Sequence, residues 1–476
     1  MEQRSQQFLQ LADQAMGESE RARNRETLGA FMPQLREQAV AQFGDFDALR
    51  EQLKAIRQHA LNHLGHYLSE YIERARENGT QVHLASDADA LNEIVVGICE
   101  AAGARRVAKG KSMITEETGL NAALTDAGLA VRETDLGEYI IQQAGETPSH
   151  IVGPALHKSA SEIRELFLEC HDLGERELAD AGAMVAEARQ VLRQDFLSAD
   201  VGIIGSNALI AENGYSMLVT NEGNGDLCAN LPPVLIICTS VDRVLPRSTD
   251  AMAMQRLLVR STTGQAITCY TSFYGRGRRE EDIDGALETH VVLLDNQRSE
   301  LLASDYREIL QCIRCGACLN HCPVYMSAGG HAYGWVYPGP MGSVLTPLLT
   351  SLEESHLLPD ACTGCGRCEE VCPAGIPLPD LLRDLRAEAF AASITARRWR
   401  LGIRMHAWLA SHPQIYRPVT NCAVFLMHHL GGREGIIRHL PFAGGWLSQR
   451  DLPAPPARSF QTQYKQRKKR PRAQTQ

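Results

Sequence analysis

The chain has 476 residues, of which 44% are hydrophobic, so it is long enough for about two or three domains with buried cores. Its formal net charge is −9, which argues against a protein that binds nucleic acid. The polar start lacks the pattern of a signal peptide, and the apolar stretches at 231–241 and 422–427 are too short to span a bilayer. We therefore expect a cytoplasmic protein without a transmembrane segment.

Residues 1–78 carry apolar side chains at helical spacing. The series is Phe46, Leu49, Leu53, Ile56, Ala60, Leu64, Leu68 and Ile72. This spacing predicts a helical N-terminal region that packs against the rest of the chain.

Short β-type runs alternate with amphipathic helical patterns in residues 79–300. The predicted strands are 80–84, 106–109, 131–134, 149–152, 201–205, 216–220, 234–240 and 291–294. The predicted helices are 87–102, 116–127, 162–173 and 178–197. This alternation predicts an α/β domain with a largely parallel sheet.

Three glycine-containing segments in this domain fail as nucleotide-binding motifs. Gly110-Lys111-Ser112 ends like a P-loop, but Arg105 stands where the first glycine is required. The pairs Gly202/Gly205 and Gly223/Gly225 do not complete G-x-G-x-x-G. The sequence therefore predicts no dinucleotide site.

Polar loops follow several of the predicted strands, at 109–112, 133–138, 206–207, 212–214 and 221–226. Each could be an ordinary turn, because Asn-Gly and Asp-Gly are common turn formers. In a parallel sheet, however, loops at the carboxyl ends of strands converge on one crevice. They predict a pocket in which Lys109, Lys111 or His150 could pair with a carboxylate.

Two cysteine runs within residues 301–390 have the spacing C-x2-C-x2-C-x3-C-P, which is typical of [4Fe–4S] ferredoxins. In two-cluster ferredoxins the fourth cysteine of each run binds the other cluster. We therefore predict two [4Fe–4S] clusters with interleaved ligands. One would be held by Cys312, Cys315, Cys318 and Cys372, and the other by Cys362, Cys365, Cys368 and Cys322.

Structural zinc is the alternative for these cysteines, but zinc sites usually combine two pairs rather than two runs of four. Gly316 and Gly366 follow the second cysteine of each run, where glycine lets backbone N–H groups approach cluster sulfurs. The long connection between the runs, with Gly, Pro and aromatic residues at 329–340, favours an α-helical ferredoxin domain over a small ferredoxin.

Six further cysteines have no mutual spacing and are expected to be buried free thiols in a reducing compartment. They are Cys99, Cys170, Cys228, Cys238, Cys269 and Cys422. Residues 391–476 predict a helical C-terminal region with Trp399, Trp408 and Trp446, ending in a basic tail at 465–472. Such a tail is usually solvated and disordered, and contact with an acidic partner or a membrane surface is the alternative.

Five segments of the α/β region together resemble the lactate-utilisation domain: 109–113, 133–139, 148–154, 211–214 and 221–225. With the two cysteine runs behind them, residues 70–460 resemble the lactate utilisation protein B family. The resemblance implies a CoA-transferase-like fold, related to sugar-phosphate isomerases, followed by the α-helical ferredoxin domain. It also implies that the eight cysteines of the runs are cluster ligands, and it assigns no catalytic residue in the α/β domain.

The resemblance implies an iron–sulfur electron-transfer component of a system that oxidises L-lactate to pyruvate, so that lactate serves as a carbon source. Its partners would be a cysteine-rich subunit and a second lactate-utilisation-domain protein, and alone it would be an inactive redox subunit. The alternatives are an iron–sulfur subunit of another organic-acid dehydrogenase, a CoA-transferase with Glu212 as nucleophile, and a scaffold that binds lactate, pyruvate or a partner loop.

Overall fold

The computed structural model describes residues 3–440, 447 and 450–469. The chain forms two compact units, residues 1–391 and 392–476, and each is described by itself. Four helices open the first unit: α1 (Phe8–Gly17), α2 (Ser19–Ala41), α3 (Phe46–Asn62) and α4 (Leu64–Glu77). Their presence confirms the prediction of a helical N-terminal region.

Ten strands in the described part of the first unit form two sheets. They are β1 (Gln81–Ala85), β2 (Arg106–Lys109), β3 (Ala130–Glu133), β4 (Val201–Gly205), β5 (Ala208–Ile210), β6 (Tyr215–Thr220), β7 (Val234–Ser240), β8 (Val244–Leu245), β9 (Tyr270–Tyr274) and β10 (Glu288–Leu294). The larger sheet has the order β1-β10-β7-β4-β2-β3, and all its pairings are parallel. The smaller sheet, β8-β5-β6-β9, is mixed.

Helices between the strands cover both faces of the larger sheet, except the last of them, which packs against the smaller sheet. They are α5 (Ala88–Ala101), α6 (Met113–Thr118), α7 (Leu120–Asp126), α8 (Leu136–Gln143), α9 (Ala160–Cys170), α10 (Ala181–Ser198), α11 (Asn224–Asn230) and α12 (Ser248–Thr262). Ile203 and Ile236 pack in one apolar core with α5 and α7, whereas their chain neighbours Ile204 and Ile237 pack in the opposite core with α9 and α10. The central strands are apolar throughout because both faces are buried.

The cysteine region consists of short helices: α13 (Arg298–Leu302), α14 (Ala317–Asn320), α15 (Pro323–Ala328), α16 (Gly339–Leu349), α17 (Leu352–Ser355), α18 (Leu357–Asp360), α19 (Arg367–Glu370) and α20 (Leu378–Ala391). Residues 295–435 are all described and contain no strand, as the sequence predicted. Helix α1 packs into this region, where Phe8 meets Tyr333 edge to face at 5.3 Å. The N-terminal helix and the cysteine region therefore pack together within one unit.

Three predictions of secondary structure need correction. Residues 149–152 are not a strand, because the Ser149 N–H bonds to the Pro154 carbonyl and closes a turn. The helix expected at 116–127 is interrupted at Gly119, whose φ is +68°, and becomes α6 and α7. Helices α8, α11 and α12 were not predicted, and of the smaller sheet only β6 was, at 216–220. Elements that tertiary packing stabilises leave weak periodic signals.

The second unit contains α21 (Arg397–Ala410), α22 (Pro413–Leu430), β11 (Ile436–Ile437), β12 (Leu452–Pro453) and α23 (Phe460–Lys469). Helices α21 and α22 bury no residue and expose Trp399 and Trp408. The basic tail was expected to be disordered, but its residues 465–469 belong to α23, and 470–472 and Trp446 lie outside the described residues. In the part of the chain that the structure describes, no helix is long and apolar enough to cross a membrane.

Candidate functional site

The two cysteine runs follow the same backbone path. The third residue of each run, Arg314 or Gly364, has a positive φ, +56° and +70° respectively. In both runs the N–H of this residue donates to the sulfur of the first cysteine, at 3.3 Å. A non-glycine residue in this conformation costs about 1 kcal/mol, so Arg314 is held there against its preference.

The fifth residue of each run is a glycine that begins a short helix. Gly316 (φ +78°) precedes α14 and Gly366 (φ +79°) precedes α19. An added Cβ at Gly366 would meet no atom within 4 Å, so backbone conformation rather than space favours glycine there. At Gly316 a Cβ would lie 3.3 Å from the His150 ring, so space is limited as well.

Each run contributes cysteines to both of two small cavities. We call them the inner site, lined by Cys312, Cys315, Cys318 and Cys372, and the outer site, lined by Cys322, Cys362, Cys365 and Cys368. The structure thus groups the fourth cysteine of each run with the first three of the other. Four thiols around one cavity are the donor set of a [4Fe–4S] cluster, in which each thiolate binds a different iron.

The residues present therefore fit the cluster chemistry that the sequence predicts. Among the described residues, no three His, Cys, Asp or Glu side chains lie close enough together to hold a single metal ion.

Burial dominates the electrostatics of the inner thiols. Burial raises the pKa of Cys318 well above its ordinary value, and the neighbouring Cys312 and Cys315 raise it further. Burial is also the main cause that raises the pKa of Cys315 and that of Cys372. In the outer site burial raises the pKa of Cys368 to about 12, while Cys365 is exposed. Binding of a positively charged metal centre must release these protons.

Arginine side chains fix the backbone of the inner site from two directions. From the α/β domain, Arg243 donates to the Cys312 carbonyl at 2.8 Å. From α3, Arg50 donates to the Cys372 carbonyl at 2.7 Å, and from α2, Arg36 donates to the Val371 carbonyl at 3.2 Å. The N-terminal helices therefore hold one half of the site and the α/β domain the other.

A fully buried arginine, Arg57 of α3, joins the three parts of the first unit. Its Nη2 donates to the carbonyls of Asp242 and Leu310 at 2.7 and 2.6 Å. Next to it, Arg298 forms a bidentate ion pair with Glu117, at 3.0 and 2.7 Å. Because these charges are buried, each group depends on its partners for compensation.

Among the described residues, one arginine supports the outer site in a comparable way. Arg386 of α20 donates to the carbonyls of Pro359, Asp360 and Cys362 at 2.6–2.8 Å. Its side chain is 34% exposed, so these bonds contribute less than the buried ones around the inner site.

A cavity of about 290 Å³ lies at the carboxyl edge of the larger sheet. Four of the five predicted loops line it, which confirms their convergence; they contribute Lys111, Ser112, Asp135, Ser206, Asn207, Asn221, Glu222, Asn224 and Gly225. The fifth loop, 212–214, packs elsewhere: a Cβ on Gly214 would lie 2.3 Å from the Ala75 nitrogen of α4.

All four residues proposed for ligand binding or catalysis are engaged in other contacts. Lys111, which lines the cavity, donates a hydrogen bond to the Val152 carbonyl. The Lys109 ammonium is buried and bonds to Glu133 and Glu116, at 2.6 and 3.2 Å. The His150 Nδ1 accepts the N–H groups of Val152 and Gly153, both at 3.1 Å.

Glu212 lies at the start of α12, where its carboxylate accepts hydrogen bonds from the Ser248 N–H and hydroxyl. These bonds lower its pKa, as they would for any carboxylate that caps a helix.

Sequence reasoning missed the wall of this cavity that faces the sheet. Ile313, Arg314 and Cys315 of the first run form it, and the Thr262 hydroxyl of α12 bonds to the Cys315 carbonyl. The inner site and the cavity therefore share a wall. The one local signal was Arg314, which stands where the second run has Gly364.

The six cysteines outside the runs are all free thiols. Cys99, Cys228 and Cys238 are buried as expected, and burial raises the pKa of each to about 12. The expectation was wrong for Cys170, Cys269 and Cys422, which are exposed.

Comparisons with known proteins match three segments of the chain. Residues 68–294 match the LUD domain, 308–376 the 4Fe-4S dicluster domain, and 393–469 the C-terminal domain of lactate utilisation protein B. The fold and the two cysteine sites thus define an iron–sulfur protein that combines a LUD domain with a dicluster ferredoxin region.

Two relatives cover the chain almost end to end. Lactate utilization protein B of Exiguobacterium sp. is 39% identical over 432 residues, 90% of this chain and 91% of the relative. An uncharacterized electron transport protein, YkgF, of Escherichia coli K12 is 38% identical over 434 residues, 90% of each. The chain belongs to the lactate utilisation protein B family.

A solved structure of a DUF162 family protein from Deinococcus radiodurans aligns with 48% of this chain and 98% of its own, with a TM-score of 0.28 and 13% identity.

Proposed function

We propose that this protein is the iron–sulfur electron-transfer component of a multi-protein system that oxidises L-lactate to pyruvate. Membership of the family supports a role in lactate utilisation with iron–sulfur electron transfer. The observation that carries the finer proposal is the pairing of two four-cysteine sites within one compact unit.

The eight cysteines of the runs are the proposed ligands of two [4Fe–4S] clusters, one in the inner site and one in the outer site. When bound, such clusters accept and release electrons one at a time. Cys318 and Cys322 are four residues apart and line different sites, so their Cα atoms are separated by at most about 14 Å. This short connection supports a relay between adjacent centres.

The surroundings of the two sites suit different tasks. The inner site adjoins the cavity of the α/β domain and is held by buried groups, which exclude water and keep its geometry constant. The outer site exposes Cys365. We propose that the outer site faces the protein that exchanges electrons with this chain.

The partners we propose are a cysteine-rich subunit and a second protein with a lactate-utilisation domain, and we propose that the assembly is cytoplasmic. The exposed apolar side chains of α21 and α22 support a contact with a partner, since an amphipathic helix is stabilised by burying its apolar face. A peripheral contact of the basic C-terminal residues with a membrane surface belongs to the same proposal.

We also propose that the α/β domain has a CoA-transferase-like topology within a four-part organisation of 1–78, 79–300, 301–390 and 391–476. The six-stranded parallel sheet supports this fold class. The helix-capping position of Glu212 gives no support to a transferase mechanism.

The test is anaerobic purification of the chain together with the proteins that accompany it, followed by metal analysis and EPR spectroscopy after addition of L-lactate. We expect about eight irons per chain, as two cubanes require, and lactate-dependent reduction of both. Stoichiometric zinc, or clusters that lactate never reduces in the assembled complex, would contradict the proposal.

A further inference from the structure

The cavity at the sheet edge is closed on one side by the first cysteine run. Its other walls are the loops after β2, β3, β4 and β6, the end of β7 and the end of α12, and their charged side chains are Lys111, Asp135 and Glu222. With about 290 Å³ it is at the low end of the volumes of small-molecule sites. A ligand inside it would lie directly beside Cys315.

Arg314 is the first indication that this cavity binds a ligand. Its side chain is half-buried, lines the cavity, and stacks 5.0 Å from the Tyr337 ring. Within the described part of the chain its guanidinium has no hydrogen-bond or ion-pair partner, although the buried carboxylates of Glu117 and Asp242 are near enough to attract its charge. Nearby Arg243, by contrast, is paired with Asp242 at 3.0 Å. A planar guanidinium without a partner is suited to bidentate recognition of a carboxylate or phosphate.

The backbone of Arg314 gives the same indication. It adopts a positive φ, which the equivalent position of the second run meets with Gly364. The backbone conformation of the loop therefore favours glycine at this position. The presence of arginine, despite its unfavourable φ, indicates that its side chain has a role.

An unpartnered hydroxyl provides an independent observation. Thr239, at the end of β7, lines the cavity and is 1% exposed, yet its Oγ1 has no hydrogen-bond partner among the described residues. Buried hydroxyl groups are normally hydrogen-bonded, because burial without a partner is unfavourable. A ligand oxygen in the cavity would satisfy this group.

We propose that the cavity between the α/β domain and the first cysteine run binds a small organic carboxylate, with Arg314 and Thr239 as its recognition groups. We favour a carboxylate over a phosphate because the sequence completes neither the P-loop nor the G-x-G-x-x-G motif, whereas one guanidinium is enough to bind a carboxylate at two points. The inference goes beyond the proposed relay, because binding here requires no electron transfer.

The experiment is calorimetric titration of the oxidised, anaerobically purified, iron-loaded full-length chain with pyruvate and with L-lactate. Lactamide, which lacks the charge, and inorganic phosphate serve as the comparison ligands. We expect at least one of the two carboxylates to bind, and lactamide and phosphate to bind at least tenfold more weakly. No heat from either carboxylate, or tighter binding of phosphate, would overturn the proposal.

Two variants test the recognition groups without disturbing the fold. Arg314→Gly introduces the residue that the second run already uses at this position, so iron content should persist while carboxylate affinity falls about thirtyfold. Thr239→Val is nearly isosteric and removes a buried group without a partner, so it should weaken binding about fivefold. Arg367→Ala, a matched removal of an exposed arginine in the second run, should bind like the parent protein.

Wild-type affinity in both Arg314→Gly and Thr239→Val would overturn the assignment. If Arg314→Gly lost iron, Thr239→Val and Arg314→Lys would carry the test, since lysine keeps the charge but not the bidentate geometry. A second readout is the EPR spectrum of the reduced protein, in which the carboxylate that binds in the calorimetry should alter one of two cluster signals. An unchanged spectrum at saturating concentration of that carboxylate would place the ligand elsewhere.

These outcomes separate the two proposals. Carboxylate binding in a protein that lactate never reduces would leave the cavity assignment intact and contradict the relay. Lactate-dependent reduction with no binding to this chain would do the opposite.

Discussion

The inner and outer sites share a backbone path and differ in what surrounds it. Both runs have the same N–H to sulfur bond and the same pair of positive-φ residues. The inner site is held by Arg36, Arg50 and Arg243 and adjoins a cavity, whereas the outer site is held by Arg386 and exposes a cysteine. One local sequence pattern can thus serve two roles, because the neighbours decide access, charge and rigidity.

The largest expected effect tests whether the sites are interleaved. Cys372→Ser should remove the cluster of the inner site, although Cys372 belongs to the second run, and Cys322→Ser should remove that of the outer site. Each variant should lose about four irons per chain, measured by metal analysis, with one of two EPR signals remaining. Loss of the cluster of its own run in either variant would refute the interleaved assignment.

The supports of the two sites should differ in strength. Arg57→Met leaves buried carbonyl groups near the inner site without donors, and should lower stability by about 3–5 kcal/mol. The matched change at the outer site, Arg386→Met, should cost only about 1–2 kcal/mol because that side chain is partly exposed. Thermal unfolding at one scan rate, followed together with iron release, measures both. Equal losses would mean that burial does not separate the two supports.

The equivalent glycines provide a smaller comparison. Gly366→Ala, in open space, should cost about 1 kcal/mol from its positive φ alone. Gly316→Ala should cost about 2 kcal/mol, because its Cβ also crowds the His150 ring. The measurement is again the unfolding midpoint, and a larger effect at Gly366 would contradict the packing argument.

The smallest effect concerns pH and the contact between His150 and the inner loop. Burial, with nearby Lys111, lowers the pKa of His150 to about 4, and its Nδ1 already accepts two N–H bonds. In the unfolded chain the pKa is about 6.5, so below that value the unfolded state takes up a proton that the folded state does not. Stability should therefore fall as the pH drops from about 6.5 towards 4.

His150→Asn keeps an acceptor for the two N–H groups and removes the titration. Between pH 7.5 and 5.5 the parent protein should lose about 1 kcal/mol more than this variant. Unfolding midpoints at the two pH values provide the comparison, and an equal loss in both proteins would show that His150 contributes nothing to acid sensitivity.

Much of the fold was predictable because its signals are local. The strands at 106–109, 201–205 and 234–240 were predicted with the bounds observed, since buried parallel strands are continuous apolar runs. The turn at 149–152 was mistaken for a strand because its polar groups are satisfied by contacts that the sequence does not reveal.

The cavity shows where local reasoning stops. Four polar loops were expected to converge because strand ends of one parallel sheet meet at one edge. Lys109 was expected to face a ligand, but it is neutralised by Glu133, a partner 24 residues along the chain. The sequence did not identify Arg314 or Thr239 as binding residues, because the cavity wall opposite each of them comes from another part of the chain.

The sequence by itself determined the cysteine chemistry, because cluster-binding spacing is a property of a short loop and is readable residue by residue. It also determined the parallel α/β architecture, because buried strands and amphipathic helices have distinct periods. Only the tertiary structure decided which of the two sites adjoins a cavity and which one exposes a cysteine. Those differences depend on contacts with α3, whose Arg50 and Arg57 bond to residues 253 to 322 positions away in the chain, and no local pattern records such contacts.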